Sequence, residues 1–190
     1  VCPSERLPVN VTITAAPAPT VSDNARCGPG TVVLTANSAN PIFWYDSYFG
    51  GTQVGSGFNF ATPVLTTTTT YYAEAVATCA SERIAVTATI HDIPAPPITT
   101  DSIICGPGVG YLNAVSVAQV YWYDAPTGGN LLSTGSLLTT PPLSTNTTFY
   151  AASFNICESS RTPATVSLLP LPNVELGNDT AIEVGTTLTL

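Results

Sequence analysis

The chain of 190 residues sets twelve carboxylates against four arginines and no lysine, for a formal net charge of −8. A nucleic-acid partner needs clustered Lys/Arg to displace counterions, and anionic lipid needs a basic amphipathic stretch; both are excluded, as is direct membrane insertion through an apolar run of ~18 residues. A hydrophobic content of 44% is ample for a packed core, which sets the chain apart from disordered segments.

In chain order, residues 1–14 read as the terminal hairpin of a preceding repeat, because Cys2, Ser4, Glu5 and Arg6 keep the spacing of Cys79, Ser81, Glu82 and Arg83. Residues 18–92 form the first full repeat. Short runs rich in β-branched and aromatic residues fall at 20–24, 31–36, 42–46, 53–54, 58–61, 70–77 and 84–90, separated by Gly, Pro and Asn. That is the pattern of strands and turns. In the last run Ile84, Val86, Ala88 and Ile90 alternate with Ala85, Thr87 and Thr89, the period of a half-buried strand. Pro94, Pro96 and Pro97 then form a short, semi-rigid linker. Residues 96–170 are a second repeat: 27–90 returns as 105–168, displaced by 78 positions without insertion or deletion, with about 25 of 64 aligned pairs identical. A period this long exceeds the ~20–50 residues of solenoids, so each repeat owns a core. Residues 173–190 read as the start of a following domain, stopping in mid-strand. The expectation is an all-β chain of sandwiches with about seven strands each, a window on a longer protein.

The motifs Cys27-Gly28-Pro29-Gly30, Trp44-Tyr45-Asp46, Gly50-Gly51, Thr62-Pro63-x-Leu65, Thr69-Thr70-x-Tyr72 and Cys79-x-Ser81-x-Arg83 recur from Cys105 to Arg161. They resemble the tandem immunoglobulin-like repeats of very large adhesin-type surface and secreted proteins of Bacteroidota, many with a C-terminal secretion or gliding-motility-associated domain. Residues 176–180 look like the start of a PKD-like repeat from the same proteins, with Glu183 where that repeat usually has a cysteine. The resemblance implies immunoglobulin-like sandwiches, cell adhesion or filament stalks, an extracellular or cell-surface location, and no catalysis. Its implied partners are neighbouring domains of the same long chain, then surface glycans or other filament chains. Asp101-Ser102-Ile103 and Asp179-Thr180-Ala181 resemble the Asp-Ser/Thr-aliphatic acceptor of bacterial O-glycosylation in this group, which makes Ser102 and Thr180 candidate glycan sites. Asn10, Asn146 and Asn178 also match Asn-x-Ser/Thr.

Four of the five cysteines sit at repeat-equivalent places, which points to disulfides and an oxidising compartment. Two pairings stand open: Cys27–Cys79 with Cys105–Cys157 inside the repeats, or Cys27–Cys157 between them. Cys2 would pair outside the chain. In an immunoglobulin-type sandwich the strands at 31–36 and 70–77 run the same way, putting Cys27 and Cys79 a strand length apart. That is ~26 Å at ~3.3 Å per residue, against at most ~7 Å between bonded Cα atoms. Connectivity is not deducible from sequence alone.

The remaining repeated residues read as structural. Trp44 and Trp122 are core anchors, and Tyr72 and Tyr150 suit tyrosine corners. Asp46 and Asp124, each followed by Gly-Gly, suit hairpins with positive φ. Calcium there is the one cofactor the residues admit, and it needs several convergent oxygens. Arg83 and Arg161 are expected at the opposite end of the sandwich from Asp46 and Asp124. His91, the one histidine, is placed in a linker and gives no triad, and the cysteine spacing is not that of a zinc site. Tyr48 and Phe49, replaced by Pro126 and Thr127 in the second repeat, are the candidate ligand contact. The reading is a disulfide-stiffened spacer without enzymatic activity; the alternative is a carbohydrate- or protein-binding module.

Overall fold

In a computed structural model of the chain, the described residues are 14–173 together with Glu5, Leu7, Pro8 and Val184. The expected terminal segments at 1–14 and 173–190, with Cys2 and Thr180, lie almost wholly outside them. Among the described residues every regular element is a strand, and none is a helix long and apolar enough to cross a membrane. The chain divides into two compact units, Val1–Ala95 with Phe154–Ser159, and Pro96–Ser153 with Ser160–Leu190.

The first unit contains β1 (Thr20–Ser22), β2 (Asn24–Cys27), β3 (Val33–Asn37), β4 (Ile42–Tyr45), β5 (Gln53–Ser56), β6 (Asn59–Ala61), β7 (Thr69–Ala75) and β8 (Ile84–His91). They form one sheet in the order β1-β3-β6 and a second in the order β2-β8-β7-β4-β5. Alternation explains the pairing of faces. Leu34 and Ala36 of β3, Tyr71, Ala73 and Ala75 of β7, and Val86 and Ala88 of β8 are all buried, while the residues between them stay outside or half-covered. Trp44 is fully buried between the sheets and stacks on Phe60, ring centroids 5.4 Å apart. Burying such a ring removes about 150–250 Å² from water, on the order of 4–6 kcal/mol at ~25 cal/mol per Å². Its indole N–H donates to Gly57 O at 2.8 Å, so its one polar group enters the core satisfied.

The leading segment differs from the single strand expected at 20–24. It makes two strands that belong to opposite sheets: β1 pairs antiparallel with β3, and β2 pairs parallel with β8. Asp23 is the residue between them, and its Oδ1 accepts the β8 amide of Thr87 at 2.7 Å. The carboxylate thus holds the crossing point while the backbone changes sheets.

The second unit repeats this plan with β9 (Ile98–Thr100), β10 (Ser102–Cys105), β11 (Tyr111–Val115), β12 (Gln119–Tyr123), β13 (Leu131–Thr134), β14 (Leu137–Thr139), β15 (Thr147–Phe154) and β16 (Thr162–Leu169). The sheets run β14-β11-β9 and β10-β16-β15-β12-β13. Asp101 repeats the role of Asp23, accepting Thr165 N at 2.8 Å. Trp122 is fully buried and its indole donates to Gly135 O at 3.0 Å.

Candidate functional site

Two local constructions stand out. The first is the cysteine bridge. Cys27 closes β2, where it pairs with His91 at the end of β8. Its sulfur is bonded to Cys157, with the Cα atoms 5.8 Å apart. Cys157 sits on a tight tip after β15, where Phe154 bridges to Glu158, Asn155 N donates to Cys157 O at 3.2 Å, and Asn155 Oδ1 accepts Cys157 N at 2.8 Å. The tip belongs to the first compact unit, and Cys157 is only 1% exposed. Cys79 and Cys105 carry free thiols, so the within-repeat pairing, Cys27–Cys79 with Cys105–Cys157, does not form. Cys79 precedes β8 whereas Cys27 lies level with its last residue. Eight residues of strand, ~26 Å, separate them. His91 belongs to β8, where its carbonyl accepts Gly28 N at 2.9 Å, and is thus a strand residue where a linker was expected.

The second construction is the hairpin between β4 and β5. Asp46 Oδ1 accepts Thr52 N at 2.7 Å, and Asp124 Oδ1 accepts Asn130 N at 2.7 Å in the second unit. Gly51 has φ 72°, and a Cβ there would collide with the Asp46 carboxylate; only glycine fits. Arg83 reaches this loop, contrary to the expectation that it lies at the far end. Its Nη1 donates to Ser47 O and Gly50 O at 2.6 Å, its guanidinium lies 3.4 Å over the Tyr45 ring, and its Nε donates to Glu74 Oε2 at 2.9 Å. Arg161 repeats the clamp on Ala125 O and Gly128 O at 2.7 Å, over Tyr123. The reason is register. Tyr45 at the end of β4 lies level with Tyr72 of β7 and through it with Ala85 of β8, so the loop that follows stands within reach of a long side chain at Arg83.

Sequence reasoning missed this clamp, although the recurrence of Arg83, Tyr45 and Gly-Gly in both repeats is a signal that could have found it. Tyr72 and Tyr150 do not line the core; their neighbours Tyr71 and Phe149 do. Tyr72 packs instead against Tyr48 on the outer face, centroids 5.8 Å apart.

Tyr48 and Phe49 occupy the clamped loop together. Their rings meet edge-on at 4.3 Å, and Phe49 is 82% exposed. Tyr48 donates to Glu82 Oε1 at 2.8 Å, and that bond to a carboxylate holds its phenol above the ordinary range. Beside them Gly50, Glu74, Ser81 and Arg83 complete a shallow surface depression. Ser102, the candidate glycan acceptor, opens β10 and is half-covered. Asn146 uses its Oδ1 to accept Leu168 N at 2.8 Å, a job done in the first unit by the Thr68 hydroxyl on Ile90 N. Among the described residues no three His, Cys, Asp or Glu side chains converge as metal ligands would.

These sandwiches are immunoglobulin-like domains. The family model for the Ig-like domain CHU_C associated matches residues 15–91 and again 94–170, so the chain belongs to that family as two tandem members. Among curated proteins none matches the sequence. Solved structures with similar folds include the fibronectin(III)-like modules of Clostridium thermocellum CbhA, 11% identical over 87% of this chain and 100% of that one, TM-score 0.49. Murine CEACAM1b is 12% identical over 80% and 100%, TM-score 0.42. The titin domains Z1Z2 in complex with telethonin are 11% identical over 84% and 100%, TM-score 0.34. At such scores these likenesses add nothing to the family assignment.

Proposed function

We propose that the chain is a spacer segment of a large extracellular or cell-surface bacterial protein of the adhesin or filament type. The carrying observation is the Cys27–Cys157 bond, which joins residues of two consecutive family members across the proline linker. A disulfide in small secreted-type domains belongs to an oxidising compartment. A cysteine pair placed between repeats closes a covalent loop that contains the linker. The uses found for the recurring polar groups, hairpin, clamp and sheet crossing, are all internal to the sandwich, so the reading needs no reaction. Small-angle scattering tests it: Cys27→Ser should broaden the distribution of molecular dimensions relative to the oxidised chain, and identical profiles would overturn the spacer reading.

One observation favours a second reading, a binding module. Phe49 projects 82% exposed from a loop held rigid by Arg83, the kind of aromatic on which a sugar ring or a partner side chain stacks. On a glycan array the wild-type chain would bind and Phe49→Ala would lose the signal; an array without wild-type binding removes the carbohydrate version.

A further inference from the structure

The 78-residue displacement sorts the lining of the depression beside the β4–β5 hairpin into two groups. Gly50, Ser81 and Arg83 return in the second repeat as Gly128, Ser159 and Arg161. Tyr48, Phe49, Glu74 and Glu82 do not; Pro126, Thr127, Ala152 and Ser160 stand in their places. Repeat one thus carries two aromatic rings and two carboxylates on a loop frame that both repeats share.

The hydrogen-bond donors of this depression are engaged within the unit. Tyr48 Oη donates to Glu82 Oε1 at 2.8 Å, and Ser81 Oγ donates to Glu82 O at 2.8 Å. Arg83 gives Nη1 to Ser47 O and Gly50 O, and Nε to Glu74 Oε2. What faces outward is a ring and a carboxylate. Phe49 is 82% exposed. Glu82 is exposed too, and a carboxylate has about four lone-pair sites, of which Tyr48 takes one. Tyr48 joins the two, its ring edge-on to Phe49 at 4.3 Å and its hydroxyl on Glu82. Because Glu74 and Arg83 form an ion pair, Glu82 leaves the depression net negative.

A sugar hydroxyl both donates and accepts, so it needs donors that these bonds already use. A lysine ammonium or an arginine guanidinium only donates, and its charge is attracted to an aromatic face within about 6 Å of the centroid. The clamp shows the same combination inside the unit, with the Arg83 guanidinium 3.4 Å over Tyr45 and its Nε on Glu74. The geometry points to a docking site for a lysine or arginine side chain of another protein, its aliphatic stem along the Phe49 ring and its cationic head on Glu82. The sequence contains no lysine, and Arg26, Arg83 and Arg161 bond carbonyls of their own repeat. A second copy therefore presents no such group among its described residues. The formal charge of −8 draws a basic partner toward the surface. This inference rests on the binding-module reading and takes its partner-side-chain form.

The test is a nitrogen-15 NMR titration of the full 190-residue chain with three probes: hexalysine, hexalysine acetylated at every Nζ, and chitotriose. Hexalysine should move the amides of Phe49, Gly50 and Glu82, and the acetylated peptide should leave them in place. Phe49→Ala and Glu82→Gln should each weaken hexalysine binding about two- to fivefold; glutamine keeps an acceptor for Tyr48 while removing the charge. An unmoved Trp44 indole signal in each variant confirms that the unit is folded. Equal shifts at Thr127 and Gly128, equal binding of the acetylated peptide, or variants that bind as the wild type would overturn the inference. Movement with chitotriose and none with hexalysine would overturn the cation and keep the binding module. A loop still in all three titrations, with no signal on the glycan array, removes both.

Discussion

Repeat one carries Val32 and Ala88 where repeat two carries Gly110 and Val166, and all but the glycine are core side chains exposed by no more than 3%. The exchange is reciprocal. A Cβ on Gly110 would lie 2.8 Å from both methyls of Val166, so the valine on β16 occupies the room that Val32 uses in the other unit. Val86 and Ala164 reverse in the same way one turn of the pleat away. The aromatic set shifts too: Phe60 and Tyr71 surround Trp44, whereas Leu138 and Phe149 share the core with Trp122. Leu34, Ala36, Trp44 and Ala73 recur unchanged at Leu112, Ala114, Trp122 and Ala151, and the exchanges fall around that fixed set. What neither unit varies is the rest of the polar frame: the indole bond, the Thr62 or Thr140 hydroxyl that accepts the Val32 or Gly110 amide, the arginine Nη1 bonds to the hairpin carbonyls and the aspartate at the sheet crossing.

The largest way to break this parallel is to remove one tryptophan. Trp44→Ala or Trp122→Ala should destabilise its own unit by about 3–5 kcal/mol. Each unit holds one of the two tryptophans, so the fluorescence of the remaining indole during urea unfolding reports the other unit. An equal loss there would mean that the repeats unfold as one. A smaller effect sharpens the comparison: Gly110→Val should cost about 1–3 kcal/mol by overpacking, and adding Val166→Ala should restore most of it by rebuilding the arrangement of repeat one. If the double variant in thermal denaturation is no better than the single, the two positions do not share space.

The smallest effect concerns pH. Asn130 donates both N and Nδ2 to the Asp124 carboxylate, whereas Thr52 gives Asp46 its backbone amide. These bonds, led by the backbone amide and helped by the charge of Arg161, hold Asp124 below the usual carboxylate range. A depressed folded value means that the contribution is complete above the ordinary carboxylate pKa and disappears as pH falls through the folded one. Asn130→Ala should raise the Asp124 value in a carbon-13 NMR titration, and an unmoved titration would assign the depression to the loop amide alone.

Much of the scaffold was legible because alternation and the 78-residue recurrence act on many residues at once. The sheets around Trp44 and Trp122 and the Gly-Gly hairpins follow from it. Less visible was β2: four residues, one of them Arg26, carry no apolar alternation, and their parallel pairing with β8 is set by the Asp23 bond to Thr87, 64 positions away. Tyr71 and Tyr72 are adjacent aromatics, so composition does not say which faces inward; Ala73 and Ala75, small residues with a weak signal, decide it. The arginine clamp was invisible for a different reason. It depends on the register of β4, β7 and β8, which sets how far the loop stands from Arg83, a distance that no local pattern encodes.

The sulfur bridge spans 130 positions of sequence, and this has a mechanical consequence. Tension applied at the two ends of the chain has a covalent path from residue 27 to residue 157 through the bridge, so the polypeptide between them cannot be drawn out as tether while the bond holds. That bypassed stretch would extend to roughly 430–470 Å at ~3.3–3.6 Å per residue. It stays out of reach however hard the ends are pulled, until a reductant cuts the bridge and lets the tether lengthen.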